Sequence, residues 1–252
     1  MFDAVKVTEE IVEFIRSYYR DHNLKGVVLG VSGGKDSAVV SALMCKAIGP
    51  ENVVGLTLPC HSKSRDANDA KLVAEHFGFE LLNIDLTETF DTLTAEIAKL
   101  GEHTEEERKN SDINLKPRLR MSTCYYMAAL LSATRGGTYL VPTNGNACEK
   151  FVGYYTKGGD NVGDISPIGE LTVEEVIKVG EVLGVPEKVL YRVPDDGLSG
   201  MSDEEKMGVK YSDIAKVIKG EPVDEEAYEK IMRMHRGSAH KLSIPTYHLK
   251  EH

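Results

Sequence analysis

Cysteine is sparse in this sequence. Cys45, Cys60, Cys124 and Cys148 lie scattered along 252 residues. None belongs to a C-x-x-C pair, which removes a zinc ribbon and a thioredoxin-like redox motif from consideration. Scattered thiols in a chain of this length point to a reducing cytosol. Basic charge is also in deficit: 30 Lys and Arg stand against 40 Asp and Glu, a formal net charge of −10. A general nucleic-acid binder carries a basic footprint, so that class is disfavoured. Small anions are still eligible ligands, because local cations and backbone N–H groups can hold them. No apolar run is long enough to span a bilayer. The acidic, amphipathic start lacks the basic and apolar regions of a signal peptide. Internal repeats and low-complexity segments are missing too. The expectation is a cytoplasmic protein with no membrane or nucleic-acid partner.

Apolar residues make up 41% of the chain, enough for an ordinary buried core. Val7, Ile11, Phe14, Ile15 and Tyr18 recur at helical spacing within Phe2 to Tyr19. Gly26 to Val31 is a short apolar run bounded by glycine, the pattern of a buried parallel strand. Strands over Asn52–Leu58, Glu80–Ile84 and Thr138–Val141 alternate with helices over Ala38–Ile48, Arg65–Phe77, Leu86–Leu100 and Arg118–Thr134. This alternation predicts a doubly wound α/β fold, a parallel sheet with helices on both faces. Gly101 to Asp112 is charged and almost free of apolar residues, and reads as a mobile surface loop. Gly153 to Gly169 reads as a glycine-rich functional loop and Val193 to Met201 as irregular. Helices are expected over Val173–Leu183, Ser212–Ile218 and Glu225–Met234.

The strongest local signal is Gly30-Val31-Ser32-Gly33-Gly34-Lys35-Asp36-Ser37, between the first strand and its helix. The glycines allow a tight turn and close backbone approach to a ligand. Ser32 and Ser37 supply hydroxyls, and the helix start supplies unpaired N–H groups. Lys35 adds a positive charge, and Asp36 is a hard oxygen donor suited to magnesium. Neither G-x-x-x-x-G-K-[ST] nor G-x-G-x-x-G is present. A glycine turn with a Ser/Asp helix cap would also account for Gly33, Gly34 and Asp36 without any ligand.

The segment resembles the S-G-G-x-D-S loop of the ATP pyrophosphatases, which cleave ATP to AMP and pyrophosphate. Later segments are similar, in order, to those of ammonia-dependent NAD synthetases. They are Pro117-Arg-Leu-Arg-Met121, Thr143-Asn-Gly-Asn-Ala-Cys-Glu149, Gly153-Tyr-Tyr-Thr-Lys157 with Gly159-Asp160 and Gly163-Asp164, Pro194-Asp-Asp-Gly-Leu-Ser-Gly200 with Ser202-Asp-Glu204, and His240-Lys241 with Pro245. The resemblance spans nearly the whole chain and implies one synthetase domain over 1–252, with no glutaminase domain and an adenine nucleotide alpha-hydrolase-like fold. It implies ATP contacts at the loop residues and Thr143, magnesium ligands at Asp36 and Glu149, and deamido-NAD contacts at Arg118, Lys157, Asp164, His240 and Lys241. Asp164 and Asp160 are the implied catalytic carboxylates. It further implies a homodimer acting on deamido-NAD, ATP and ammonia.

Each residue has a plainer reading beside that one. Arg118 could be a solvated helix-start residue, Thr143 a helix cap, Glu149 an exposed helix residue, and Asp160 and Asp164 turn-forming carboxylates. His240 and Lys241 could belong to a disordered polar tail. Two positions depart from the family pattern: Val173 stands where many relatives carry a lysine, and Asp195 where many carry a threonine. Two rivals remain at this level. Another ligase of the superfamily would share the loop, although the Gly153–Asp164 segment favours the NAD synthetases. A non-catalytic nucleotide sensor could dispense with Asp36, Glu149 and Asp164, and all three are present.

Overall fold

The computed structural model describes residues 2–61, 64–192, 202–244 and 246–249. Pro194 to Gly200 and Pro245, quoted above, lie outside them. The chain begins with α1 (Ala4–Asp21), β1 (Leu24–Gly30), α2 (Lys35–Ile48), β2 (Val53–Thr57), α3 (Ser64–Phe77), β3 (Glu80–Asn83) and α4 (Thr87–Ala98). A 31-residue α5 (Glu105–Arg135) and β4 (Thr138–Leu140) follow. The described residues after β4 carry seven helices: α6 (Ala147–Val152), α7 (Val173–Leu183), α8 (Glu187–Leu190), α9 (Asp203–Met207), α10 (Tyr211–Ile218), α11 (Glu225–Gly237) and α12 (Ala239–Leu242).

The four strands form one parallel sheet in the order β3-β2-β1-β4. Parallel strands are buried on both faces, which is why β1 and β2 read as continuous apolar runs. Successive side chains of β1 divide between the two faces. Val27 and Leu29 enter the core shared with α1, α2, α3 and α7, and Val28 enters the one beneath α4 and α5. Each such fully buried aliphatic side chain contributes about 1.5–3 kcal/mol relative to exposure. A third cluster joins α6, α10 and α11 around Cys148, Ile214 and Ile231. Val173 packs against it. Among the described residues no helix is long and apolar enough to cross a membrane.

One expectation fails. Residues 105–112 are helix rather than loop, the first turns of α5. Thr104 caps that helix: its Oγ1 accepts from Glu107 N at 3.3 Å, and the Glu107 carboxylate accepts from Thr104 N at 2.8 Å. Such a capping box holds a helix start without any apolar stripe. These turns project into solvent, so hydrophobic periodicity could not reveal them.

The chain leaves β1 for β2 and β3 on one side and returns to β4 on the other. The reversal opens a crevice between the carboxyl ends of β1 and β4, where open α/β sheets place ligands.

Candidate active site

The segment 30–37 leaves β1 at that crevice and enters α2. Gly33 has φ +78°, a conformation that side-chain-bearing residues rarely adopt. Ser32 N donates to Ser37 Oγ at 3.2 Å, and Ser37 Oγ donates to Gly34 O at 3.0 Å, which closes the turn. From the other side of the reversal, Asn144 Nδ2 donates to Gly30 O at 3.0 Å. The two strand ends are thereby tied across the crevice.

A cleft of about 550 Å³ opens here, well within the range of small-molecule sites. Its lining takes in Gly30, Val31, Ser32, Gly34, Lys35, Asp36 and Ser37, then Thr143 and Glu149, and finally Asp160 from the glycine-rich segment. Gly33 is buried in the turn behind them.

Charge is concentrated at one end. Lys35 Nζ donates to Asp36 Oδ2 at 2.8 Å, with side-chain exposures of 6% and 18%. Burial acts to lower the Lys35 pKa. The Asp36 carboxylate, aided by Glu149 and Asp203, outweighs it and holds the ammonium above its ordinary value. Asn146, fully buried, donates to Asp36 Oδ1 at 3.3 Å and caps α6 by accepting from Glu149 N at 3.1 Å. The Glu149 carboxylate in turn accepts from Asn146 N at 3.2 Å. Burial first, and the charge of Asp36 second, push the Glu149 carboxyl up to about 8. Two carboxylates that repel each other in a partly closed cleft form a natural seat for a cation. Among the described residues no three acidic, imidazole or thiol groups assemble into a metal cage.

The segment 153–165 forms one wall. Asp160 accepts from Thr156 N at 2.9 Å. Arg118 donates from Nε and Nη2 to Lys157 O at 3.2 and 3.1 Å. Lys157 Nζ donates to His240 O at 2.5 Å, and Lys241 Nζ donates to Gly153 O and Tyr155 O, each at 2.7 Å. Arg118, Lys157, His240 and Lys241 thus gather on one flank, outside the cleft lining. Their polar groups are joined through backbone carbonyls. Asp164 is placed differently. Its carboxylate accepts from Tyr125 Oη at 3.0 Å and from Val141 N at 2.7 Å, stapling the segment to α5 and β4. Burial, then Asp164, push the Tyr125 phenol up to about 12.

Sequence reasoning overlooked several residues that line the cleft: Lys116, Arg120, Asn144, Lys150, Arg192 and Asp203. Arg120 Nε donates to Leu58 O at 3.2 Å, and Tyr154 Oη to Asp203 Oδ1 at 3.2 Å. Arg120, Asn144 and Asp203 lie within segments quoted above for their resemblance, but no local spacing marks these positions as cleft-lining. Asn146, buried behind the lining, does carry a local signal, because its N-x-x-E spacing to Glu149 is a capping box legible in the sequence.

These features define the class, a doubly wound α/β protein whose ligand cleft sits at the switch point of its sheet. The sequence profile of NAD synthase matches residues 7–245, and the chain belongs to that family. The NH(3)-dependent NAD(+) synthetase of Carboxydothermus hydrogenoformans is 39% identical over 239 residues, covering 94% of this chain and 95% of that relative. The structure of NMN synthetase from Francisella tularensis superposes with a TM-score of 0.88 at 29% identity, over 98% of this chain and 99% of that one. The NH3-dependent NAD synthetase from Campylobacter jejuni superposes with a TM-score of 0.76 at 26% identity, over 99% and 100%.

Proposed function

We propose that the chain is a C–N bond-forming ligase that amidates deamido-NAD with ammonia, using ATP and magnesium and releasing NAD, AMP and pyrophosphate. One observation carries the reading: the 30–37 turn, the Asp36–Glu149 carboxylates and Thr143 all face one cleft in a chain of the NAD synthase family.

The nicotinate carboxylate is a poor acylating group at neutral pH and needs activation. In this reading it attacks the α-phosphorus of ATP, and pyrophosphate leaves. Ser32, Ser37, the N–H groups of the turn and Lys35 hold the departing phosphates and their charge. Asp36 and Glu149 would hold magnesium, which would supply electrostatic stabilisation of the phosphate oxygens. Thr143, at the end of β4, positions the nucleotide. Arg118, Lys157, His240 and Lys241 bind the dinucleotide along the flank, with Asp160 at the cleft edge. Ammonia then attacks the adenylated carboxylate and AMP departs. The two steps need no covalent nucleophile from the protein, so rate enhancement comes from positioning and electrostatics. Asp164 serves the dinucleotide end, and its staple to Tyr125 and Val141 fixes the loop that presents it. In this reading the chain acts as a homodimer in the cytoplasm.

A second reading has a specific observation behind it. The NMN synthetase of Francisella tularensis superposes with a TM-score of 0.88, and its name brings in a mononucleotide sharing the same nicotinate carboxylate. AMP release decides between the two readings. The expected result is release that requires ATP, ammonium and deamido-NAD together, with little turnover when ammonia-free glutamine replaces ammonium. A preference for nicotinate mononucleotide over deamido-NAD establishes the second reading. Equal rates with glutamine overturn direct ammonia use, and AMP release with neither acid overturns amidation.

A further inference from the structure

Lys150 follows Glu149 in α6, yet both side chains reach the same cleft. The Lys150 ammonium donates to Ser166 Oγ at 2.7 Å, and Thr143 Oγ1 donates to the same oxygen at 2.9 Å. The serine hydroxyl thereby fixes a cation and the Thr143 hydroxyl side by side. Two other cations of the cleft are matched with acids: Lys35 with Asp36 at 2.8 Å, and Arg192 with Asp69 at 3.3 Å. Lys150 instead bonds a neutral hydroxyl, while Glu170 and Glu149 act on it only through space. A partly buried ammonium with no ionic partner carries a desolvation cost that an incoming anion relieves.

Gly169 gives a second, independent observation. A Cβ there would lie 2.1 Å from Lys150 Nζ and 2.4 Å from Ser166 Oγ. Gly169 is not among the glycines with positive φ, so its backbone does not demand glycine. What the missing side chain provides is room, and the ammonium occupies it.

We infer that Lys150 is an ATP-contacting residue, holding a phosphate of the nucleotide from the Thr143 side of the cleft, opposite the 30–37 turn. This assignment rests on the reading of the cleft as an ATP site. Two cations then grip the triphosphate from different elements, Lys35 from α2 and Lys150 from α6. One charge stays beside each half of the molecule as its phosphate chain is divided.

The test is calorimetric titration of a non-hydrolysable ATP analogue with magnesium into the whole protein and three variants. Lys150→Met keeps the apolar stem and removes the charge. The loss of one charge-assisted contact weakens binding about ten- to a hundredfold. Lys150→Arg retains most of the affinity. Gly169→Ala keeps the charge but displaces the flexible end of the lysine, and gives a smaller loss. Melting temperatures without nucleotide are expected to stay close to the parent for all three. In turnover assays the KM for ATP rises while the KM for deamido-NAD is unchanged. Analogue affinity within twofold of the parent in Lys150→Met overturns the assignment. So does a loss matched by a fall in ligand-free melting temperature, which would make Lys150 a structural tie to Ser166. Because the titration needs no turnover, failure of the amidation reading appears separately, as analogue binding that depends on Lys150 without AMP release. A parent protein that binds no analogue overturns both.

Discussion

Replacing Glu149 by glutamine separates what the cleft gives to stability from what it gives to catalysis. The Glu149 carboxyl is raised from 4.5 to about 8 by burial and by Asp36. Between those values the unfolded chain gives up a proton that the folded chain keeps. Folding stability therefore falls as pH rises from 4.5 towards 8, and the full cost is present above that. At pH 7 the gap is 2.5 units, at most about 3 kcal/mol at 1.36 kcal/mol per unit. The side chain retains some contact with cleft water, and screening leaves about 1–2 kcal/mol. Glutamine can still accept from Asn146 N, so the cap of α6 survives. The expected outcome, from urea unfolding in chelator, is a variant more stable than the parent by about 1–2 kcal/mol at pH 7. The difference shrinks towards zero near pH 5. In the presence of magnesium the same variant loses most of its turnover. A stability difference that does not vary with pH refutes the electrostatic account of Glu149. Unchanged magnesium dependence removes it from the proposed ligands.

Two further outcomes follow from the same geometry. Asp164→Asn must set an amide against either Val141 N or the Tyr125 hydroxyl, and the tyrosine can turn to accommodate it; a thermal melt is expected to register a loss of about 1–3 kcal/mol for the weakened staple. A fall in turnover at saturating deamido-NAD and ammonium with an unchanged melt would instead mark a direct chemical role. Burial pushes the Cys45 and Cys124 thiols up to about 12 and Cys148 up to about 11, so alkylation by iodoacetamide at pH 8 is expected to be slow until denaturant is added. Rapid modification of the native protein would contradict their burial.

The parts legible in the sequence are those whose cause is local. The 30–37 turn announces itself because glycine, serine, lysine and aspartate are consecutive there, and the strand before it is apolar on both faces. The β3-β2-β1-β4 order is not local, and only the structure shows that Thr143 faces that turn across the reversal. The first turns of α5 escaped detection because a capped, solvated helix leaves no apolar period. Lys150 and Asp203 lie beside or within segments that stood out for their resemblance, but which side chains of those segments enter the cleft follows from where α6 and α9 dock. Asp164 shows the opposite limit. Its segment stood out by its glycines, but whether its carboxylate faces a ligand or a tyrosine depends on α5, some forty positions away.

Pro117 sits inside α5, where it has no N–H to offer the carbonyl four residues earlier. Asn114 lies before it and Arg118 after it. Thr156 Oγ1 donates to Asn114 Oδ1 at 2.9 Å, while Arg118 holds the carbonyl of the adjoining Lys157. Two neighbouring loop residues are therefore moored on opposite sides of the weakest joint in the longest helix. The buried residues of that helix, Cys124, Ala128 and Leu131, all follow the joint, and just before it Leu115 packs against the core and Lys116 lies over the Phe90 ring. Any swing strains both moorings together. Local opening of the leading turns of α5 would therefore have to break its ties to the wall of the cleft.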